Sequence, residues 1–165
     1  MSYKEKRTLV SICTGMVLLA AYCIYAFGRV QAGMVASDDM KFWATTILIF
    51  IGVGVAAAVV IQIIFHILLS VALAVKEQAK NSKCDEKEIE KSMGLEMVED
   101  EMDKLIELKA MRVGFVIAGI GFLAALGSLV LNYSPAVMLN ILFFSFCIGS
   151  MTEGVTQIYY YKRGI

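Results

Sequence analysis

Few residues of this chain could do chemistry in apolar surroundings. His66 is the single histidine. Cys13, Cys23, Cys84 and Cys147 form no C-x-x-C pair, and three of them fall in long apolar stretches where Cys behaves as a small hydrophobe. Redox work needs a low-pKa, paired thiol, and this spacing offers none. There is no His and Cys cluster spaced for zinc, no glycine loop to cradle phosphate and no G-x-S-x-G. The pattern predicts no catalytic residue, no metal site and no cofactor, and so a non-enzymatic protein.

What is left is a polar layer. Gln62 and His66 are four apart and share one helical face, which continues through Gly52 and Ala56. Glu153 is the one charge between Arg112 and Lys162, flanked by Thr152 and Thr156. An ionised carboxylate in lipid is costly, so Glu153 should face other helices and be paired, protonated or wet. Counted inward along their segments, Gln62, His66 and Glu153 reach similar depth, and His66 is the partner expected for Glu153. Two readings follow for Gln62, His66, Thr152 and Glu153: mutual satisfaction that fixes helix register, or a site for a proton, cation or small polar ligand.

The elements that carry this layer are legible from the charges. The chain has 165 residues, 59% hydrophobic and 18% charged, with fifteen Lys plus Arg against fifteen Asp plus Glu. Such a balance sets up no field for nucleic acid. Twenty-one uncharged residues separate Arg7 from Arg29, and thirty-four separate Lys41 from Lys76. A helix crosses a bilayer core with about 20 apolar residues, so the chain is read as membrane-spanning. Asn132, Tyr133, Ser134 and Pro135 form a turn that divides the third apolar region in two. The expected fold is all-α, an integral membrane four-helix bundle. Residues 1–75 give a first pair of spans, about 8–28 and 42–75; residues 76–111 give a charged, partly helical linker; residues 112–165 give a second pair, about 112–132 and 136–160.

Lys and Arg concentrate before the first span, in the linker and after the last span, whereas the other two loops hold only Arg29 and Lys41. By the positive-inside rule both termini and the linker are cytoplasmic, with Trp43 and Tyr133 near the outer interface, in a cell membrane. The basic start, apolar run and Val30-Gln31-Ala32 also suit a signal peptide, but its apolar core is longer than the usual 7 to 15 residues, so the first span is read as retained.

Small residues recur at helical spacing. Gly114, Ala118, Gly121 and Ala125 line one face of the third span, Ser145 and Gly149 the fourth, and Gly52 and Ala56 the second. Such faces let helix backbones approach in lipid, within one chain, in a homodimer or against a membrane protein partner. In the linker, Leu95, Val98, Met102, Leu105 and Ile106 keep helical period. Asp103 with Glu107, then Lys109 with Arg112, place acids before bases along a helix entering the membrane, as the helix dipole favours. That face either satisfies itself or is read by a partner.

The run from Glu99 to Arg112, E-D-E-M-D-K-L-I-E-L-K-A-M-R, precedes two spans and then Tyr159-Tyr160-Tyr161-Lys162-Arg163-Gly164. It resembles a family of small bacterial and archaeal membrane proteins that carry a domain of unknown function, with Met102 where their pattern has Arg. The resemblance covers about the last 70 residues and implies the second helix pair; it brings no activity. The expected function is an accessory or regulatory membrane module acting through helix packing and its linker. The alternative is a transport or channel module, with a cytoplasm-facing polar site at Gln62, His66 and Glu153.

Overall fold

In a computed structural model of the chain, residues 3–78 and 101–163 are described, and all their regular structure is helical. The helices are α1 (Tyr3–Gln31), α2 (Met40–Gln78), α3 (Glu101–Val130) and α4 (Pro135–Arg163). All four are long and apolar enough to cross a membrane. Leu95 and Val98 of the linker, with Cys84, lie outside the described residues. Met102, Leu105 and Ile106 belong to α3, which begins well before the expected span because the amphipathic linker segment and the apolar stretch are one continuous helix of 30 residues.

Local chemistry sets the two hairpin turns. α1 ends where Gly33 takes a φ of 68°, and the Met34 N–H donates back to the Arg29 carbonyl at 3.1 Å. α3 ends the same way at Asn132, φ 62°, with the Tyr133 N–H donating to the Ser128 carbonyl at 3.0 Å. Both are Schellman endings, which require a left-handed residue that Gly or Asn supplies at least cost. Asp39 then caps α2, its Oδ1 accepting from the N–H groups of Lys41 and Phe42 at 3.0 and 3.1 Å. Pro135 opens α4, where its missing N–H leaves no bond unmade. Each helix pair is therefore an antiparallel hairpin, with a hairpin end at these turns and a terminal end where α1 starts and α4 finishes.

α3 and α4 form the closest pair, α4 also touches α1 and α2, and α1 touches α2; among the described residues α3 meets neither α1 nor α2. The pairing of α3 with α4 follows from absent side chains. At Gly114 a Cβ would stand 2.9 Å from the Gly149 carbonyl oxygen, and at Gly149 a Cβ would stand 2.8 Å from the Gly114 carbonyl oxygen. The two backbones thus cross almost in contact, a geometry in which van der Waals attraction and Cα–H···O contacts hold helices together in lipid. Two turns on, the Ser145 side chain occupies the place a side chain on Gly121 would need, its hydroxyl donating to Ile141 at 2.6 Å. Ala125 and Ser128 continue the buried stripe and Ala118 is half-buried within it. α1 meets α4 by a similar notch, with Ile12 over Gly154 at 2.7 Å from the missing Cβ.

The buried core lies towards the hairpin end. Tyr22, Ala26, Trp43 and Ala136 form it, packed around by Phe50, Phe143 and Phe144. The Tyr22 ring lies 4.5 Å from Phe143 and edge-on to Phe50 at 5.4 Å, within the range of favourable aromatic pairs. Its hydroxyl donates to Asn140 Oδ1 at 2.7 Å, and the Asn140 amide donates to the Ala136 carbonyl at 2.8 Å. Trp43 lies in the first turn of α2 at the hairpin end, where it is buried and packed on Phe27, and its indole N–H donates to the Ser37 carbonyl at 3.0 Å. The local turn meets the indole's need for a hydrogen bond, so the ring packs inward while Tyr133 stays exposed.

Candidate functional site: a cavity between three helices

Towards the terminal end α1, α2 and α4 part and enclose a cavity of about 890 Å³, within the ~300–1,000 Å³ typical of small-molecule sites. Its chamber is apolar, walled by Leu18, Leu19, Phe50, Val55, Phe143 and Phe146. Gly15 and Gly54 contribute no side chain to this wall and leave it open. Arg7, Thr8, Asp103, Glu107, Glu153, Gln157 and Tyr161 also line it, set by the first turns of α1 and α3 and the last turns of α4. The cavity is therefore amphipathic along its length, with three carboxylates and one guanidinium at the terminal end among the described residues.

Each polar group reaches the cavity for a local reason. Glu153 leaves α4 one turn beyond the Gly114–Gly149 crossing, and its Cβ stands 3.2 Å from where a Gly114 Cβ would be. The missing side chain on α3 gives the glutamate stem its room. Asp103 and Glu107 are four apart on the first turns of α3, so one face delivers both. Thr8 and Gln157 are joined across α1 and α4 at 3.4 Å, which closes the wall beside them. Among the described residues no three His, Cys, Asp or Glu side chains converge as a group able to hold a metal ion.

The structure separates residues that the sequence reading joins. Gln62 and His66 line a second, shallower groove of about 370 Å³ with Val59, Ile63, Ile67 and Ser70, all from α2, and it shares no lining residue with the cavity that holds Glu153. The cause is helical phase. At 3.6 residues per turn the 62–66–70 row lies roughly a quarter of a turn from the row 51–54–58 that lines the cavity, and it also lies further along α2. Thr152 donates to the Ile148 carbonyl of its own helix at 2.8 Å. On α2 it is Gly54, with Leu18 3.7 Å from its missing Cβ, that meets a neighbour within the chain; Gly52 has nothing within 4 Å and Ala56 is exposed. Of the expected linker-contact residues, Asp103 and Glu107 face the cavity, the Lys109 ammonium lies 5.6 Å over the Tyr160 ring, and Arg112 is exposed.

Sequence reasoning missed Arg7, Tyr22, Asn140 and Gln157. A signal for two of them exists, since Tyr22 and Asn140 are polar groups in mid-span, and such groups seek each other across helices. Comparison of the chain with family models, with curated proteins and with solved structures finds no match.

Proposed function

We propose that the chain is a non-enzymatic, four-span module of the cell membrane whose work is to bind an amphipathic organic cation in the cavity between α1, α2 and α4. The observation that supports this most is the amphipathic lining: an apolar, phenylalanine-walled chamber joined to an end that carries, among the described residues, Glu107 and Glu153 together with Asp103 and Arg7. With Glu107 and Glu153 ionised, a cationic head finds two carboxylates from different helices on the wall, and the phenylalanine faces attract a cation further. Among the described residues the acids do not form a group able to hold a metal ion, which suits an organic ion with a bulky body. Regulation or transport would then follow from occupancy, with the polar end opening towards the cytoplasm.

Equilibrium dialysis of tetraphenylphosphonium against the protein in nanodiscs, corrected for empty discs, tests the reading. Tetraphenylborate has nearly the same shape and the opposite charge. The expected result is saturable binding of the phosphonium and none of the borate, with Glu107→Gln plus Glu153→Gln weakening the phosphonium by at least about tenfold, the scale of one charge-assisted contact. Equal binding of both ions, or no effect of the double substitution, rejects it.

The orientation is part of the same proposal, because Lys and Arg are concentrated at the terminal end. An impermeant maleimide applied to intact cells should label Ser37→Cys and leave Cys84 unlabelled until the membrane is opened. The reverse pattern inverts the topology.

A further inference from the structure

We propose that the cavity is loaded sideways from the bilayer by an aminophospholipid of the leaflet at the terminal end, its ammonium at Glu107 and Glu153, its phosphate at Arg7 and one acyl chain in the apolar chamber. This ligand class deepens, and so rests on, the cation-binding reading of the same cavity. The way in is a missing wall. Among the described residues α2 lines the cavity only as far as Ala58, whereas the linings from α1 and α4 continue to Arg7 and Tyr161. Trp43 and Ala136 share the buried core and so mark one level of the membrane. From that level Ala58 lies fifteen residues, about 22 Å, along α2, and Glu153 seventeen residues, about 26 Å, along α4. α2 therefore leaves the cavity at the depth where a ~30 Å hydrocarbon layer gives way to head groups. The flanks nearer mid-membrane are open as well, since Val55 of α2 is 61% exposed and Phe146 of α4 63%.

Charge and length select the occupant. The charged lining groups gather at the terminal end, at head-group depth, and carry both signs: Glu107 from α3, Glu153 from α4 and Arg7 from α1. Glu153 reaches in beside Gly114, its Oε2 3.3 Å from the place of that glycine's missing Cβ, and makes no hydrogen bond or ion pair among the described residues. A zwitterionic ethanolamine head answers both signs at once. Its ammonium offers three N–H donors to carboxylates, and its phosphate suits a guanidinium, which grips such oxygens in pairs. A simple cation leaves Arg7 unanswered, an anionic glycerol head leaves the two carboxylates unanswered, and a choline head has no N–H to give. The length agrees. From Glu153 to Leu139 the cavity runs fourteen residues along α4, about 21 Å, and ends against Phe50 and Phe143 of the core. One leaflet contributes about 15 Å of a ~30 Å hydrocarbon layer, so a whole acyl chain fits.

Native mass spectrometry of the full chain, released from nanodiscs of equal parts dioleoyl phosphatidylethanolamine, phosphatidylcholine and phosphatidylglycerol, tests the proposal. One ethanolamine lipid per chain should be retained, at least about tenfold over either of the others, the scale of one charge-assisted contact. Gly15→Phe, which fills the chamber, should abolish that retention, and Arg7→Gln should lower it by at least about tenfold. The same Arg7→Gln should strengthen tetraphenylphosphonium binding, because the phosphonium brings no anion for the guanidinium to hold. Equal retention of the three lipids, preference for either of the other two, or an ethanolamine adduct that survives Gly15→Phe or Arg7→Gln overturns the proposal. Phosphonium binding without a retained lipid also overturns it and leaves the cation-binding reading in place; absence of both rejects both.

Discussion

Gly114→Leu should cost the protein its α3–α4 pairing, with an apparent loss of about 3 kcal/mol or more, the upper range for overpacking. The size of the effect follows from what the new side chain meets. A flexible neighbour would swing aside, but the first atom in the way is the Gly149 carbonyl oxygen at 2.9 Å, and it belongs to a helix backbone. Moving it means moving α4, to which α1, α2 and α3 are all attached. Gly119→Leu is the control, because that glycine lies on the same helix with nothing within 4 Å. Thermal unfolding in detergent should separate the two variants widely. Equal midpoints would mean that the backbones do not approach at Gly114.

Gly15→Phe should abolish phosphonium binding while leaving the unfolding midpoint at or above that of the parent. Gly15 borders the cavity, and its nearest neighbour on the open side is the Met151 methyl group, 3.6 Å from the position of a Cβ. That is ordinary contact distance, and a thioether chain repacks easily. The phenyl ring then projects into space that is empty of protein and lined by carbon, so it removes room from a ligand without forcing a wall apart. Binding that persists in this variant would place the ligand elsewhere, whatever the carboxylate substitutions show. Loss of stability together with loss of binding would mean that the chamber is smaller than described.

The number of long apolar helices and the turns between the paired ones were legible because they depend on one-dimensional quantities. Uncharged runs, turn residues such as Asn132 and Pro135, and the Lys and Arg pattern are properties of the string itself. The small-residue row on α3 was legible for the same reason, since helical period is local. Which helix face meets which neighbour is not local. Gln62, His66 and Glu153 share a depth, and depth was all that counting residues could provide; the angular phase of α2 carries the first two away from the third. The cavity itself was invisible for a related reason. It arises where α1, α2 and α4 diverge, and Arg7, Glu107 and Glu153 converge there from three separate helices. Asp103 and Glu107 were noticed as part of a charged linker face, but nothing in their spacing says that α4 brings a third acid beside them.

The contacts of α4 bear on how the molecule is made. It touches every other helix, whereas among the described residues α3 makes contact with the first hairpin only through it. Of the four it is also the last to leave the ribosome. Until Pro135 and the residues after it are synthesised, the first hairpin and α3 lack the helix that joins them, and each has the surface meant for α4 uncovered. Closure of the bundle is then a single late event rather than a stepwise accretion. The cavity, which takes walls from both hairpins, comes into being at that event.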